Sequence, residues 1–125
     1  MLRSKQISLT LNAVNDEYVI ASMLLQKDGT LLGSIGSGLK KIEDKLVSAI
    51  LSNIWHNFEG NGNDFINGGG LKSLFLELND GRLGVACIGS KYLVIVFAHG
   101  SVKFGLIKAK IEALQRYFQE QLEEL

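Results

Sequence analysis

The chain predicts an α/β fold of the α+β kind: one five-stranded antiparallel sheet with helices on both faces. Three observations lead there. Apolar residues recur at spacings of three and four in the opening, middle and closing segments. Between these lie short, mostly apolar runs rich in Val, Ile, Leu and Phe. Short polar turns join the runs, and turns so short connect antiparallel neighbours. The 125 residues suit one domain, residues 1–125.

Residues 4–14 read as a short helix, with Ile7, Leu11 and Val14 on one face, broken by Asn15-Asp16-Glu17. Residues 19–26 are apolar enough for a central strand covered on both faces. Lys27-Asp28-Gly29-Thr30 turns the chain into a returning arm, Leu31 to Ile35. Gly36-Ser37-Gly38 then opens a long helix from Leu39 to about Phe58. Gly60-Asn61-Gly62-Asn63 ends it, since both residue types accept left-handed helix stops. A glycine- and asparagine-rich loop fills 61–70. Three strands follow, 71–78, 82–88 and 92–98, joined as a meander by Asn79-Asp80-Gly81 and Gly89-Ser90-Lys91. The last helix, about 102–122, carries a stripe of Phe104, Ile107, Ile111, Leu114, Phe118 and Leu122.

Composition narrows the function. Hydrophobic residues make up 46% and charged residues 21%, an ordinary globular balance. The formal net charge is +0, without the basic excess of a nucleic-acid binder. The single cysteine, Cys87, can form no disulfide within the chain and fits a reducing compartment. No apolar run reaches membrane-spanning length, and neither a signal peptide nor a lipidation motif is legible. The expectation is therefore no direct membrane insertion.

Catalytic patterns fail one by one. The two histidines, His56 and His99, have no H-E-x-x-H spacing, so no metal site is expected. Cys87 lies in an apolar strand and reads as a packed thiol; a pairing with His99 is the competing view. Gly33 to Gly38 reads G-x-x-G-x-G, which is neither the dinucleotide fingerprint nor the kinase loop. Gly100 to Gly105 begins like a Walker loop, but Leu106 and Ile107 stand where lysine and a hydroxyl residue are required. Asn61-Gly62-Asn63-Asp64 lacks the ligand spacing of a calcium loop. No cofactor and no catalytic residue is expected.

The middle helix carries more apolar surface than one sheet needs. On a wheel of about 100° per residue, its apolar arc covers roughly 220–240°. A helix lying on a sheet needs little more than about 100°. Leu46, Ala49, Ile50 and Ile54 take one side, and Val47, Leu51, Trp55 and Phe58 the neighbouring one. Ser48, Ser52 and His56 fill the polar remainder. A partner protein is the economical cover for the surplus, the alternative being a fold-back of the 61–70 loop. The strand 71–78 is expected at a sheet edge, long, apolar and without proline, which invites another chain's edge.

Certain residues in series resemble a known family. They are Met1-Leu2-Arg3 with Lys5, Ser52-Asn53-Ile54-Trp55, Asn61-Gly62-Asn63, Asp80-Gly81-Arg82, Phe104-Gly105-Leu106, Lys108-Ala109-Lys110 and Ala113-Leu114. In this order they resemble the Roadblock-domain subunits of the Ragulator complex, the late endosomal/lysosomal adaptors. The sequence departs from that pattern in the charged stretch from Lys40 to Lys45 and at Gly68-Gly69-Gly70. The resemblance implies a Roadblock/profilin-like fold and a non-catalytic scaffold. It implies a heterodimer with a second Roadblock subunit, a lipid-anchored wrapping subunit, and Rag-type GTPases carried at the late endosome, lysosome or vacuole. Through these it implies nutrient signalling to the target-of-rapamycin kinase complex. Family heterodimers join middle helices and the strands after them into one continuous sheet. By position the interface is then Val47, Leu51, Trp55 and Phe58, with Leu71, Lys72, Ser73, Leu74, Phe75, Leu76, Glu77 and Leu78. On that reading, Leu51→Asp with Trp55→Ala abolishes partner binding and leaves the fold intact. The alternative is a dynein light-chain-like Roadblock homodimer.

Overall fold

The computed structural model describes residues 4–36, 41–65, 71–79 and 81–123. Helix α1 spans Ser4–Asn12, strand β1 Val19–Gln26, β2 Leu31–Gly36, and helix α2 Lys41–Phe65. Strand β3 spans Ser73–Leu78, β4 Gly81–Ile88, β5 Tyr92–Ala98, and helix α3 Phe104–Glu123. The strands form one sheet in the order β2-β1-β5-β4-β3, each pairing antiparallel. The central strands β1, β5 and β4 are largely buried, as their apolar runs predict. The β1–β2 turn uses Gly29 at φ 99°, a left-handed geometry that glycine adopts freely.

The sheet has a core on each face. On one face, Ile7 and Leu11 of α1 join Ile107, Ile111, Leu114 and Phe118 of α3 over Leu24, Val94 and Val96. On the other, Leu51 and Trp55 of α2 cover Met23, Leu25, Val85, Leu93 and Ile95. Close seating of α3 depends on Gly84 in β4. A Cβ there would lie 2.4 Å from Ile111 Cδ1 and 2.9 Å from Phe75 Cε1. Polar ties fix the helices to their surroundings. Gln121 Nε2 donates to Thr10 Oγ1 at 2.9 Å, linking α3 to α1. Lys110 Nζ donates to the Val14 carbonyl at 2.9 Å and pairs with Asp16. Arg82 Nη1 donates to the Val102 carbonyl at 3.1 Å, and its guanidinium stacks 4.6 Å from the Phe104 ring.

Most boundaries differ from the sequence reading by no more than two residues, and the end of α2 by more. Helix α1 ends at Asn12, and Ala13 and Val14 continue in tighter turns to the Thr10 and Leu11 carbonyls, as helix ends commonly do. Helix α2 does not stop at Gly60-Asn61-Gly62-Asn63 but runs on to Phe65. Glycine and asparagine permit a left-handed stop without imposing one, and in a helix they cost only about 1 kcal/mol or less each. Ser37, Gly38, Gly68-Gly69-Gly70, Asp80 and Met1-Leu2-Arg3 lie outside the described residues.

Candidate partner interface

Helix α2 shows which of its sides meets the sheet. Leu51 is 4% exposed and Trp55 0%, both within the core beneath α2. Leu46 is 60% exposed, Ile50 48% and Phe58 50%. The surplus of apolar arc is present, but Leu51 and Trp55, which the family resemblance placed at the interface, lie in the core, while Leu46 and Ile50 are exposed. Leu51 and Trp55 cannot be surface contacts, and Leu46, Ala49 and Ile50 point outward. Of the outer four predicted residues, Phe58 remains exposed and Val47 is half-buried.

The serines explain this orientation. Ser48 and Ser52, in the polar remainder of the wheel, are buried at 0% and 3%. A serine is small, and its hydroxyl is tolerated in a core when hydrogen-bonded. Ser52 Oγ donates to the Lys27 carbonyl in the β1–β2 turn. A Cβ on Gly29 would stand 3.6 Å from the Ala49 backbone, so helix and turn approach closely. His56 Nε2 reaches the same Lys27 carbonyl at 2.8 Å. Small residues let α2 settle on this flank, which rotates Leu51 and Trp55 inward and Ile50 outward.

Glu59 locks that rotation. Its carboxylate accepts from Lys27 Nζ at 3.0 Å and from Trp55 Nε1 at 3.2 Å. The Lys27 hydrogen bond, reinforced by Trp55, outweighs partial burial and holds the Glu59 carboxyl below its ordinary range. Trp55 therefore contributes both its buried ring and its indole N–H to the position of α2.

Strand β3 lies at the sheet edge, paired only with β4 in the sheet order. Ser73 to Leu78 form the strand, with Leu71 and Lys72 leading into it. Leu74 and Leu76 pack half-buried against the core beneath α2, and Leu78 is 46% exposed. Phe75 turns to the opposite face and meets Phe104 edge-on at 5.8 Å. Glu77 pairs with Arg82 at 3.1 Å, and Lys72 is exposed. Between α2 and the β3 side of the sheet an apolar cavity opens beside Val47 and Leu78. The structure thus brings Val47, Phe58, Leu74, Leu76 and Leu78 to one side of the sheet, with Leu46 and Ile50 on the outer helix face. Leu46 and Ile50 are exposed apolar residues that the family resemblance did not place at the interface.

The remaining chemical candidates separate. Cys87 is half-buried, with Sγ 3.9 Å from the Leu71 carbonyl. In the β4–β5 ladder Cys87 faces Leu93 while Ala98 faces Arg82. His99 therefore lies roughly 20 Å along the strands from Cys87, and the two form no pair. Gly33 to Gly36 belong to β2, and Asn61 to Asp64 to α2. Among the described residues no cluster of His, Cys, Asp and Glu could hold a metal ion. No described helix is long and apolar enough to cross a membrane.

Comparison with known proteins gives a consistent result. Residues 6–97 match the model of the Roadblock/LC7 domain. A Ragulator complex protein LAMTOR2 homolog of Caenorhabditis elegans is 31% identical over 120 residues, covering 96% of this chain and 92% of that protein. The solved Roadblock/LC7 domain from Streptomyces avermitilis superposes with a TM-score of 0.82 at 19% identity, over 92% of this chain and 96% of its own. Profilin II of Acanthamoeba castellanii superposes at 0.62 with 14% identity, over 94% and 97%. At these identities the two structures speak for the fold.

Proposed function

The chain belongs to the Roadblock/LC7 domain family, and from that premise we propose that it is a non-catalytic scaffold subunit of a Ragulator-type complex. It pairs with a second Roadblock subunit and helps anchor Rag-type GTPases at the late endosomal, lysosomal or vacuolar surface, in nutrient signalling to the target-of-rapamycin kinase complex. A lipid-anchored subunit that wraps the Roadblock pair supplies the membrane attachment. The homology to the Ragulator complex protein LAMTOR2 homolog supports the assignment.

One observation carries the pairing: α2 leaves Leu46, Ile50 and Phe58 exposed, and its Val47 shares an apolar cavity with Leu78 on an edge strand that has no proline. Large apolar side chains gathered at a surface favour association, because covering them releases their cost in water. An open strand edge offers backbone groups to a second edge. The interface proposed is therefore Leu46, Ile50 and Phe58 with the β3 edge. Leu51 and Trp55 act beneath it, by holding α2 in place.

The test is light scattering of the purified chain, alone and with a second Roadblock subunit, for wild type and for Ile50→Asp with Phe58→Asp. Wild type should give a one-to-one heterodimer. The double variant should stay folded and fail to pair, since it would bury unpaired charge. A wild-type homodimer that ignores the second subunit would move the reading to the light-chain-like class.

A further inference from the structure

The cavity beside α2 has a definite size and chemistry. Val47 and Leu51 form its helix wall, Leu78 and Leu83 its strand wall, and Ile95 and Phe97 lie across it. Its volume is about 160 Å³, and these lining side chains are all apolar. A cavity of about 150 Å³ with such a lining stays dry and takes up benzene. The site is thus matched to one six-carbon apolar group.

Its position says where that group comes from. Leu78 stands at the rim and is 46% exposed, on the edge strand of the proposed pairing. Val47 shares a helix flank with Ile54 and Phe58, by the turn of about 100° per residue. The cavity is continuous with the surface that the pairing would cover. Protein interfaces pack as densely as interiors, so a partner seated there fills this space or leaves a costly void.

We propose that this cavity is an anchor socket that receives one leucine- or phenylalanine-sized side chain from the second Roadblock subunit. The socket rests on the pairing described above and adds to it a single point that selects partners. A partner with a small or charged residue at the matching position is rejected, because it leaves either a void or a buried charge.

The experiment uses calorimetry with the second Roadblock subunit and benzene as a probe of the socket. Val47→Phe fills the socket from its own wall. It should keep the melting temperature of the wild type, abolish benzene-induced methyl shifts at Leu51 and Ile95, and weaken partner binding by ~10-fold or more. In the wild type, the partner should displace benzene. Leu78→Phe narrows the mouth from an exposed position and should act likewise if Val47→Phe disturbs the fold. Unchanged partner affinity in both variants, with Phe58→Asp still disruptive, overturns the socket and leaves the pairing. Unchanged affinity in all three overturns both. Benzene displaced by self-association of the chain would make a second copy the occupant and overturn the proposal as well.

Discussion

Replacing Trp55 by alanine tests the orientation of α2, on which the interface depends. The indole is fully buried against Met23, Leu25, Val85, Leu93 and Ile95, and its N–H reaches Glu59 at 3.2 Å. Truncating a core Trp to Ala costs about 3–5 kcal/mol. A chain of 125 residues has roughly 6–19 kcal/mol of stability at about 0.05–0.15 kcal/mol per residue. With a urea slope of about 2 kcal/mol/M, a loss of about 4 kcal/mol moves the midpoint down by ~2 M. Urea unfolding followed by circular dichroism reads that shift. Ile50→Asp, at a position 48% exposed, should change stability by only ~0.5 kcal/mol. A Trp55→Ala shift under ~0.5 M would refute the inward placement of this side chain. So would an Ile50→Asp variant as unstable as Trp55→Ala. Leu51→Asp with Trp55→Ala does not spare the fold, since both side chains belong to the core beneath α2.

Two further outcomes are expected. Gly84→Ala should destabilise by about 1–3 kcal/mol, because its Cβ would lie 2.4 Å from Ile111 Cδ1 and force α3 off the sheet; thermal unfolding measures it, and an unchanged midpoint contradicts the close seating. Lys27→Met should raise the Glu59 pKa, read by NMR titration, since the Lys27 hydrogen bond is the main cause of its depression. A carboxyl depressed in the folded state stabilises at pH above its unfolded value and loses that contribution as pH falls through the folded value. The stability gap between wild type and Lys27→Met should therefore narrow in acid, and a gap independent of pH would remove Glu59 from the account.

Much of the fold was legible because elements follow from local periodicity. The spacing of Ile107, Ile111, Leu114 and Phe118 required a helix with one buried stripe, and all four are buried. The run from Tyr92 to Ala98 was bounded by turn residues on the sequence alone, and β5 has those ends. The order of helices and strands follows in the same way, as does an edge position for the strand after the crossover. The end of α2 was not legible. Gly60 to Asn63 can stop a helix or be carried within one, and local preference worth about 1 kcal/mol per residue decides neither.

By itself the sequence determined that α2 has apolar surface beyond what one sheet face covers, because the width of an apolar arc is a property of residue order alone. Which half of that arc faces inward was decided only by the tertiary structure. Leu51 and Ile50 are equally apolar, and a helical wheel has no preferred zero. The choice was made by neighbours distant in sequence: the Lys27 carbonyl that satisfies Ser52, the close approach of Gly29, and the Lys27–Glu59–Trp55 link. Side-chain size and hydrogen-bond satisfaction across 25 and 32 residues of chain set the rotation of the helix. That rotation placed Ile50 on the surface and Trp55 in the core.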